Sequence, residues 1–360
     1  MAEWQGVVNT TMHKFFKGAV DALMRNFKLF AMLNDRGLIT YNMSGDLFDW
    51  KVKYLQNSMI GFDDSDTLVF SDINRHKTAQ LPWRGYSMAE GYKERDRLMN
   101  SGMEAIVKVF STKAEDIMED IEEQIGYEFY VDGNAAGNGK KFHGIESFMG
   151  VSGTVAGSPV GSPHSNYANI NTDLGGYGGT WGATAWPAGT GSATYDFWAP
   201  MIVDYTNVLW PQATKTWDNT CIDAMRYGLQ KVRRNKSKSK QVDCVIHEGE
   251  LYRKFVTLLQ TEERLNVSPQ NGSSGLWKLG FTDVTNFDGV DITWEYGITN
   301  PYGYGWCMND VELLCLGEDF IKTGKPDWDV ASQSWRFATI ILANLKFKSL
   351  RNFVSWKNIS

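Results

Sequence analysis

An apolar stripe between Gly102 and Tyr130 constrains the fold of this chain more than any other feature. Large apolar residues recur there at helical spacing, and acidic residues occupy the other positions. This spacing predicts a single amphipathic helix of roughly 40 Å at 1.5 Å per residue. The stripe comprises Ile106, Phe110, Ala114, Ile117, Met118, Ile121, Ile125 and Phe129, and the other faces carry Glu115, Asp116, Glu119, Asp120, Glu122 and Glu123. Such a helix is long enough to act as a spine, and Gly133 is predicted to end it.

A change to a period of two ahead of this helix predicts a β-hairpin. Phe48, Trp50, Val52 and Tyr54 alternate with charged residues, and a returning stretch carries Ala79, Leu81, Trp83, Tyr86 and Met88. Turn-forming residues between the arms predict an exposed tip. Because a two-stranded ribbon is marginally stable alone in water, we expect this one to lie on another surface, and we favour that of a neighbouring chain.

The remaining patterns predict a mixed α+β chain. Residues 4–30, including Phe16, form a wide apolar stripe typical of a helix that docks on its own or a neighbouring subunit. Residues 133–192 are rich in Gly, Ser and Thr, which predicts an irregular excursion or a set of short strands. Further elements are predicted as a helix over 218–233, a strand over 242–246, a helix through Leu251 and Leu259, a β-rich stretch over 285–316 and a last strand through Phe337, Leu345 and Phe347.

Composition excludes several classes of protein. The formal net charge of −6 argues against a dedicated nucleic-acid binder, and no apolar run reaches the ~18 residues of a membrane span. Four cysteines without C-x-x-C spacing are predicted to be reduced thiols in or near the core. Aromatic residues make up 13% of the chain, which favours a large core and subunit interfaces, with sugar-stacking platforms as the alternative.

No motif predicts a catalytic, cofactor or metal site. The stretch from Gly133 to Lys141 lacks the glycine spacing and the Ser or Thr of a phosphate loop. Asp132-x-Asn134 opens like a calcium loop, but Ala136 holds the fifth position, and His143 holds the twelfth, where a bidentate Glu is needed. His247-Glu248 has no second histidine four residues on. The helix carboxylates are predicted to be a solvated face. The basic run from Lys231 to Lys240 is compatible with nucleic acid, but we favour a complement to the helix dipole.

Several strings, taken in their order along the chain, resemble major capsid proteins of tailed bacteriophages with the Hong Kong 97-type fold. They are Leu38-Ile39-Thr40-Tyr41-Asn42-Met43-Ser44-Gly45, Asn100-Ser101-Gly102, Asp132-Gly133-Asn134, Phe142-His143-Gly144-Ile145, Phe197-Trp198 and Asn286-Phe287-Asp288-Gly289-Val290-Asp291-Ile292. The order of predicted elements agrees with this resemblance over nearly the whole chain.

The resemblance implies an α+β fold with four parts. They are an N-arm over 1–45, an extended hairpin called the E-loop over 46–95, a peripheral P-domain over 96–215 with 326–360, and an axial A-domain over 216–325. It implies a non-enzymatic shell subunit, without cofactor, made in the host cytoplasm and located in the virion. The residues predicted to contact a neighbouring subunit are Phe16, Trp50, Lys51, Lys53, Trp83 and Arg84.

The resemblance also implies partners. Copies of the chain form pentamers and hexamers of an icosahedral lattice, which encloses double-stranded DNA through weak, non-specific contacts. The further partners it implies are a portal and, as an optional one, a decoration protein, and no membrane is involved. Because the arm pattern starts directly after Met1, we expect a separate scaffolding protein. Two alternatives stay open: a nanocompartment shell that packages an enzyme, and a carbohydrate-active or carbohydrate-binding protein.

Overall fold

The computed structural model describes residues 27–54, 60–64, 66–67, 74–99, 103–151, 153–154, 159–172, 198–233, 241–262, 280–324 and 326–359. Within these ranges the chain mixes helices and sheets, as predicted. The helices are α1 Lys28–Asp35, α2 Glu94–Met99, α3 Met103–Glu128, α4 Glu146–Met149, α5 Trp217–Arg233 and α6 Gly249–Glu262. None of these helices has the length and hydropathy needed to span a membrane.

The predicted long helix is confirmed as α3, which has 26 residues. Its apolar stripe is buried from Ala114 to Ile125, while Glu115, Glu119 and Glu123 are exposed. Gly133 does not end this helix, because α3 stops at Glu128. Gly133 is required for another reason: a Cβ atom there would lie 2.5 Å from the carbonyl oxygen of Phe142. The prediction of a helix-ending glycine was therefore wrong.

One sheet is organised around a single long strand. Its described strands are β1 Ile39–Thr40, β4 Arg84–Lys93, β14 Val311–Cys315, β15 Lys322–Thr323, β16 Asp327–Asp329 and β17 Ser334–Phe347. β17 pairs with β4 along ten residues of register, from Ser334 opposite Lys93 to Ala343 opposite Arg84. Phe337, Leu345 and Phe347 are all buried, which confirms the strand predicted from them.

A second sheet has the strand order β11-β12-β10-β13-β18-β9-β6-β5. Its bounds are β5 Gly153–Thr154, β6 Val160–Ser162, β9 Met201–Asp204, β10 Cys244–His247, β11 Thr285–Phe287, β12 Val290–Trp294, β13 Gly303–Trp306 and β18 Val354–Lys357. The segment after β17 thus supplies one more strand, so the prediction that the chain closes on the strand of Phe337 was wrong. Helices α5 and α6 cover one face of this sheet, where Cys221, Phe255 and Trp356 share an apolar cluster.

Two short pairs of strands complete the described fold. β2 Leu47–Lys53 pairs with β3 His76–Pro82, and β7 Asn166–Tyr167 pairs with β8 Ile170–Asn171. The predicted hairpin is confirmed for β2 and β3. Its returning arm is shorter than expected, because Tyr86 and Met88 lie in β4 and pair with β17 instead. All four cysteines lie in described segments, where they are buried and form no disulfide, as predicted.

The predicted domain boundaries remain predictions, although the second sheet crosses them. β9 and β18 were assigned to the P-domain, and they share this sheet with β10, β12 and β13 of the predicted A-domain. Residues 173–197 of the Gly-rich stretch lie outside the described residues. The part that is described contains the predicted short strands and also the helical turn α4.

Candidate assembly surface

The ribbon formed by β2 and β3 has one buried face and one exposed face. Its buried side chains are Phe48, Trp50, Val52, Ala79 and Leu81, and they belong to the apolar core of the same subunit. This follows from the alternation of side chains along a strand, which directs every second residue to one side. The described stem therefore packs through one face on its own chain, and the expected contact with a neighbouring chain stays a prediction.

Trp50 illustrates how the stem is anchored. Its ring centroid lies 5.9 Å from that of Phe48 and 6.3 Å from that of Trp198, and the ammonium of Lys346 lies 5.8 Å from it. Only 9% of Trp50 is exposed. Little of this side chain is left for a neighbouring subunit, and its predicted role as an intersubunit contact stays a prediction.

Trp83 and Arg84 lie at the junction between β3 and β4. The indole N–H of Trp83 donates to the carbonyl oxygen of Gly45 over 2.8 Å, and its ring lies 5.1 Å from Phe48. Nη2 of the half-buried Arg84 lies 3.5 Å from Nε2 of His143. Both side chains are thus used within the subunit. Phe16, the other apolar contact predicted, lies outside the described residues.

Lys51 and Lys53 are the predicted contact residues that point fully into solvent. They occupy the exposed face of the ribbon, opposite Thr78 and His76 respectively. Asp49 lies on the same face, opposite Gln80. This face therefore presents two ammonium groups and one carboxylate to the surroundings.

The exposed face of α3 is acidic. Its exposed carboxylates include those of Glu115, Asp116, Glu119, Asp120 and Glu123. None of these five forms an ion pair with another described residue. The prediction of a solvated carboxylate face is confirmed, and the helix offers a row of negative charge about two turns long.

Contacts with β4 fix α3 in place. The hydroxyl of Tyr86 donates to Oε2 of Glu128 over 2.6 Å and accepts from the backbone N–H of Phe142 over 2.7 Å. Burial is the main reason why the pKa of Tyr86 is raised. Nearer the start of the described part of the helix, Lys113 is ion-paired with Glu90. These contacts hold the helix at a defined angle over the sheet, so its acidic face has a defined direction.

A buried charge network, which the sequence analysis missed, holds the first described helix. The backbone N–H of Lys28 donates to Oε1 of Glu295 over 3.0 Å, and the hydroxyl of Tyr130 donates to Oε2 over 2.5 Å. The Lys28 ammonium donates to Oγ1 of Thr293 and to the carbonyl of Trp294, each over 2.7 Å. Burial raises the pKa of Glu295 and lowers that of Lys28. The network fixes the start of α1.

A second buried network lies beside the first. The ammonium of Lys357 donates to both carboxylate oxygens of Glu146 over 2.7 Å and to the carbonyl of Met149 over 2.6 Å. The hydroxyl of Tyr304 donates to Oε1 of Glu146 over 2.5 Å. Since the rings of Tyr130 and Tyr304 stack with centroids 5.7 Å apart, the two networks are neighbours. The hydropathy pattern does not reveal this network, because Lys357 and Glu146 lie 211 residues apart in the sequence.

His247 and Glu248, which the sequence analysis considered for a metal site, both have their surroundings within the chain itself. His247 is fully buried among Trp217, Phe255 and Trp356, and neither ring nitrogen has a hydrogen-bond partner among the described residues. Burial lowers its pKa to about 3. The carboxylate of Glu248 accepts backbone N–H groups of Glu250 and Leu251, and so it caps α6. No group of three or more His, Cys, Asp or Glu side chains within the described ranges is placed to hold a metal ion.

The described part of the basic run is also used internally. Lys231 and Arg233 lie in the last turn of α5, where cations complement the helix dipole. The guanidinium of Arg233 donates to the carbonyl of Asp288 over 2.6 Å, and the ammonium of Lys231 lies 5.6 Å from the ring of Tyr227. Residues 234–240 lie outside the described residues.

Comparison with solved structures identifies similar folds. The chain is similar to the capsid of the native GTA particle computed with C5 symmetry, with a TM-score of 0.55 and 8% identity over 91% of each chain. It is also similar to the cyanophage A-1(L) capsid asymmetric unit, with a TM-score of 0.58 and 13% identity over 91% of each chain. No protein-family model and no curated protein matches the sequence. At such low identity the likeness concerns the fold, and it confirms the predicted fold class.

Proposed function

We propose that this chain, which has the fold of phage capsid subunits, is a major capsid protein of a tailed bacteriophage. In this role it is a structural, non-enzymatic subunit that assembles into an icosahedral shell around double-stranded DNA. The observation that carries the proposal is the likeness to two capsid subunits over 91% of the chain and 91% of each of theirs.

The distribution of charge supports a role in assembly. Charged groups in the interior, such as Lys357 with Glu146, are paired within the subunit. The ammonium groups of Lys51 and Lys53 and the carboxylates on α3 instead face outward on two separate elements. Complementary surfaces on one chain allow head-to-tail contacts between identical copies, which close into rings when the rotation permits.

The exposed ribbon face packs, in this proposal, against the acidic face of α3 in a second copy. Lys51 and Lys53 approach the row of carboxylates that includes Glu119 and Glu123. An exposed ion pair contributes only about 0–1 kcal/mol, but the contact recurs at each subunit of a shell. The charges therefore set the register between copies, while apolar contacts contribute most of the association energy.

The partners and location implied by the resemblance are part of the same proposal. They are pentamers and hexamers of the chain itself, a portal, a separate scaffolding protein, an optional decoration protein and weakly bound DNA, with the chain located in the capsid shell of the virion. The division into N-arm, E-loop, P-domain and A-domain belongs here as well. Support for these finer statements comes from the shared fold.

Electron microscopy of the purified chain tests the function directly. We expect negative staining to show rings or closed shells of uniform wall thickness, and particles from infected cells to contain double-stranded DNA. An enzyme inside the particles instead of DNA would identify a nanocompartment. A protein that stays monomeric at all concentrations and binds glycans would overturn the proposal.

Charge reversal tests the ribbon contact. The variant Lys51→Glu with Lys53→Glu should fold normally and lose assembly, and adding Glu119→Lys with Glu123→Lys should restore it. The matched control is Lys140→Glu with Lys322→Glu, which changes net charge equally at exposed positions away from the ribbon. The proposed contact is wrong if the control variant loses assembly to the same degree, or if the variant with all four substitutions does not regain it. This conclusion holds even if the unmodified chain forms shells.

A further inference from the structure

Strand β4 has one paired edge and one open edge. It pairs with β17 along one side, and no strand within the described ranges pairs with it along the other. Apart from the pairing with β17, no backbone–backbone hydrogen bond of the described chain involves residues 84–90. The N–H and C=O groups that point away from β17 therefore form a row with which a further strand can pair.

This open edge lacks the features that usually protect an edge strand. Natural edges are kept short, or they carry proline, bulges or charges. β4 has ten residues and no proline, residues 85–89 carry no charge, and its register with β17 is continuous. Gly85, Ser87 and Ala89 are exposed on the face that points away from α3. Such an edge is suited to pairing with a strand of another molecule.

We infer that β4 pairs antiparallel with β4 of a second copy, about a two-fold axis at Ser87. The contact is isologous, so one interface satisfies the open edges of both copies. It joins the two described sheets into one, through backbone hydrogen bonds and the side chains on either side of them.

Charge selects the register of this pairing. A two-fold axis perpendicular to the sheet keeps corresponding faces on the same side, so each residue lies opposite a residue of its own face. The numbers of two opposite residues then have an even sum. The charged residues of β4 are Arg84, Glu90 and Lys93. Within β4, only the register centred on Ser87 meets this condition and puts a cation opposite an anion, with Arg84 of each copy facing Glu90 of the other.

The side chains of Arg84 and Glu90 are able to make this contact. Arg84 lies beside His143 and forms no ion pair with a described residue. Burial and Arg84 itself lower the pKa of His143 to about 4, so this imidazole is neutral at pH 7. The Glu90 carboxylate is bonded to Lys113 through Oε1, but 38% of the Glu90 side chain stays exposed. Oppositely charged residues that face each other across antiparallel strands stabilise the pairing.

The inference goes beyond the proposed function, because it adds a second kind of contact between copies. Head-to-tail contacts close a ring, whereas an isologous contact at β4 joins one ring to the next. The β4 contact can be measured on the purified chain, whether or not closed shells form or DNA is enclosed.

Cysteine substitution tests both the contact and its register. Opposite Cα atoms in antiparallel strands lie ~4.5–5.5 Å apart, which is within disulfide range. Ser87→Cys should therefore give a disulfide-linked dimer of the full chain on oxidation with copper phenanthroline. Ala89→Cys is the matched control, since it lies on the same exposed face two residues along β4. In this register its Cα lies about 13 Å from that of its own copy, at ~3.3 Å per residue, which is too far for a disulfide.

Non-reducing electrophoresis should show the dimer for Ser87→Cys and only monomer for Ala89→Cys. The unmodified chain should also stay monomeric on the gel, since its four cysteines are buried. Hydrogen exchange then identifies the occupant of the open edge. The amides of residues 84–90 that point away from β17 should exchange more slowly as the protein concentration is raised.

Three results would overturn the inference. They are a Ser87→Cys chain that does not cross-link, an Ala89→Cys chain that cross-links as readily, and amide protection that does not depend on concentration. The last result would mean that the chain covers its own edge, for example with residues 1–26. Shells that form despite any of these results would leave the proposed function standing without this contact.

Discussion

The backbone N–H of Lys28 donates a hydrogen bond to Oε1 of Glu295 over 3.0 Å, joining positions 267 residues apart. Lys28 is the first residue of α1, so the carboxylate satisfies a helix N-terminal donor and lies at the positive end of the helix dipole. The same carboxylate accepts from Tyr130 just after α3. One buried side chain thus fixes two helices relative to each other.

Glu295→Gln should lower the free energy of unfolding by about 1–3 kcal/mol, because it removes the negative charge beside the buried Lys28 ammonium. Urea denaturation of the purified chain measures this change. Glu119→Gln, on the exposed face of α3, is the control and should stay within about 0.5 kcal/mol of the unmodified chain. Equal stability of both variants would show that the charge of Glu295 does not contribute to the free energy of unfolding.

Acidification should destabilise the subunit through His247. Burial holds the pKa of this imidazole at about 3, against 6.5 for an exposed histidine. Below pH 6.5 the unfolded chain therefore binds a proton that the folded chain does not, and stability decreases as the pH falls toward 3. Between pH 7 and 4.5 this one group should cost about 2–3 kcal/mol, at ~1.4 kcal/mol per pKa unit.

A pair of variants isolates that effect. His247→Leu should flatten the dependence of the free energy of unfolding on pH, whereas Gln80→Leu, on the exposed ribbon face, removes no ionisable group and should leave the slope unchanged. Part of the slope should persist in His247→Leu, since burial and the nearby Arg84 also lower the pKa of His143, to about 4. An identical slope in both variants would rule out His247 as the source.

Lys357→Met should cost about 3–5 kcal/mol of stability, because the Glu146 carboxylate loses its buried cation. In a double-mutant cycle with Glu146→Gln, the combined variant should be less destabilised than the sum of the single changes, with a coupling of about 1–3 kcal/mol. Chemical denaturation of all four proteins gives the coupling. Strict additivity would mean that the two side chains act independently despite their 2.7 Å contact.

Gly144→Ala should destabilise the subunit by about 1–3 kcal/mol, because the added Cβ would lie 2.5 Å from the carbonyl oxygen of Phe129. Gly139→Ala is the matched control, since a Cβ there meets nothing within 4 Å. Thermal unfolding of both variants checks the difference. A Gly144→Ala protein as stable as the control would show that the backbone near α3 yields without cost.

The elements that were predicted correctly are those whose structure depends mainly on their own local sequence. Helix α3 and the stem of the ribbon were predicted because burial alternates with the local period, as at Ile121 and at Trp50. The returning arm was predicted too long for a different reason. The alternation continues through Trp83 and Tyr86, so the local sequence does not show where β3 ends. Pairing with the distant strand β17 is what distinguishes β4 from β3.

The buried charges could not be predicted in the same way. Lys28, Glu295 and Lys357 are residue types that are almost always exposed, and nothing in their local sequence distinguishes them from surface residues. Each becomes acceptable in the interior only through partners that are far away in sequence, such as Glu146 for Lys357. Among the candidate contact residues, Trp50 packs in the core, whereas its neighbour Lys51 is exposed.

The position of β18 has a consequence for the order of folding. This strand, Val354–Lys357, lies between β13 and β9 and follows the other seven strands of its sheet in the sequence. Until it has been synthesised, β9 and β6 have no strand that joins them to β10 and β12, so the sheet stays in two halves. Both halves therefore wait for one late segment, and a chain truncated before Val354 cannot complete this sheet.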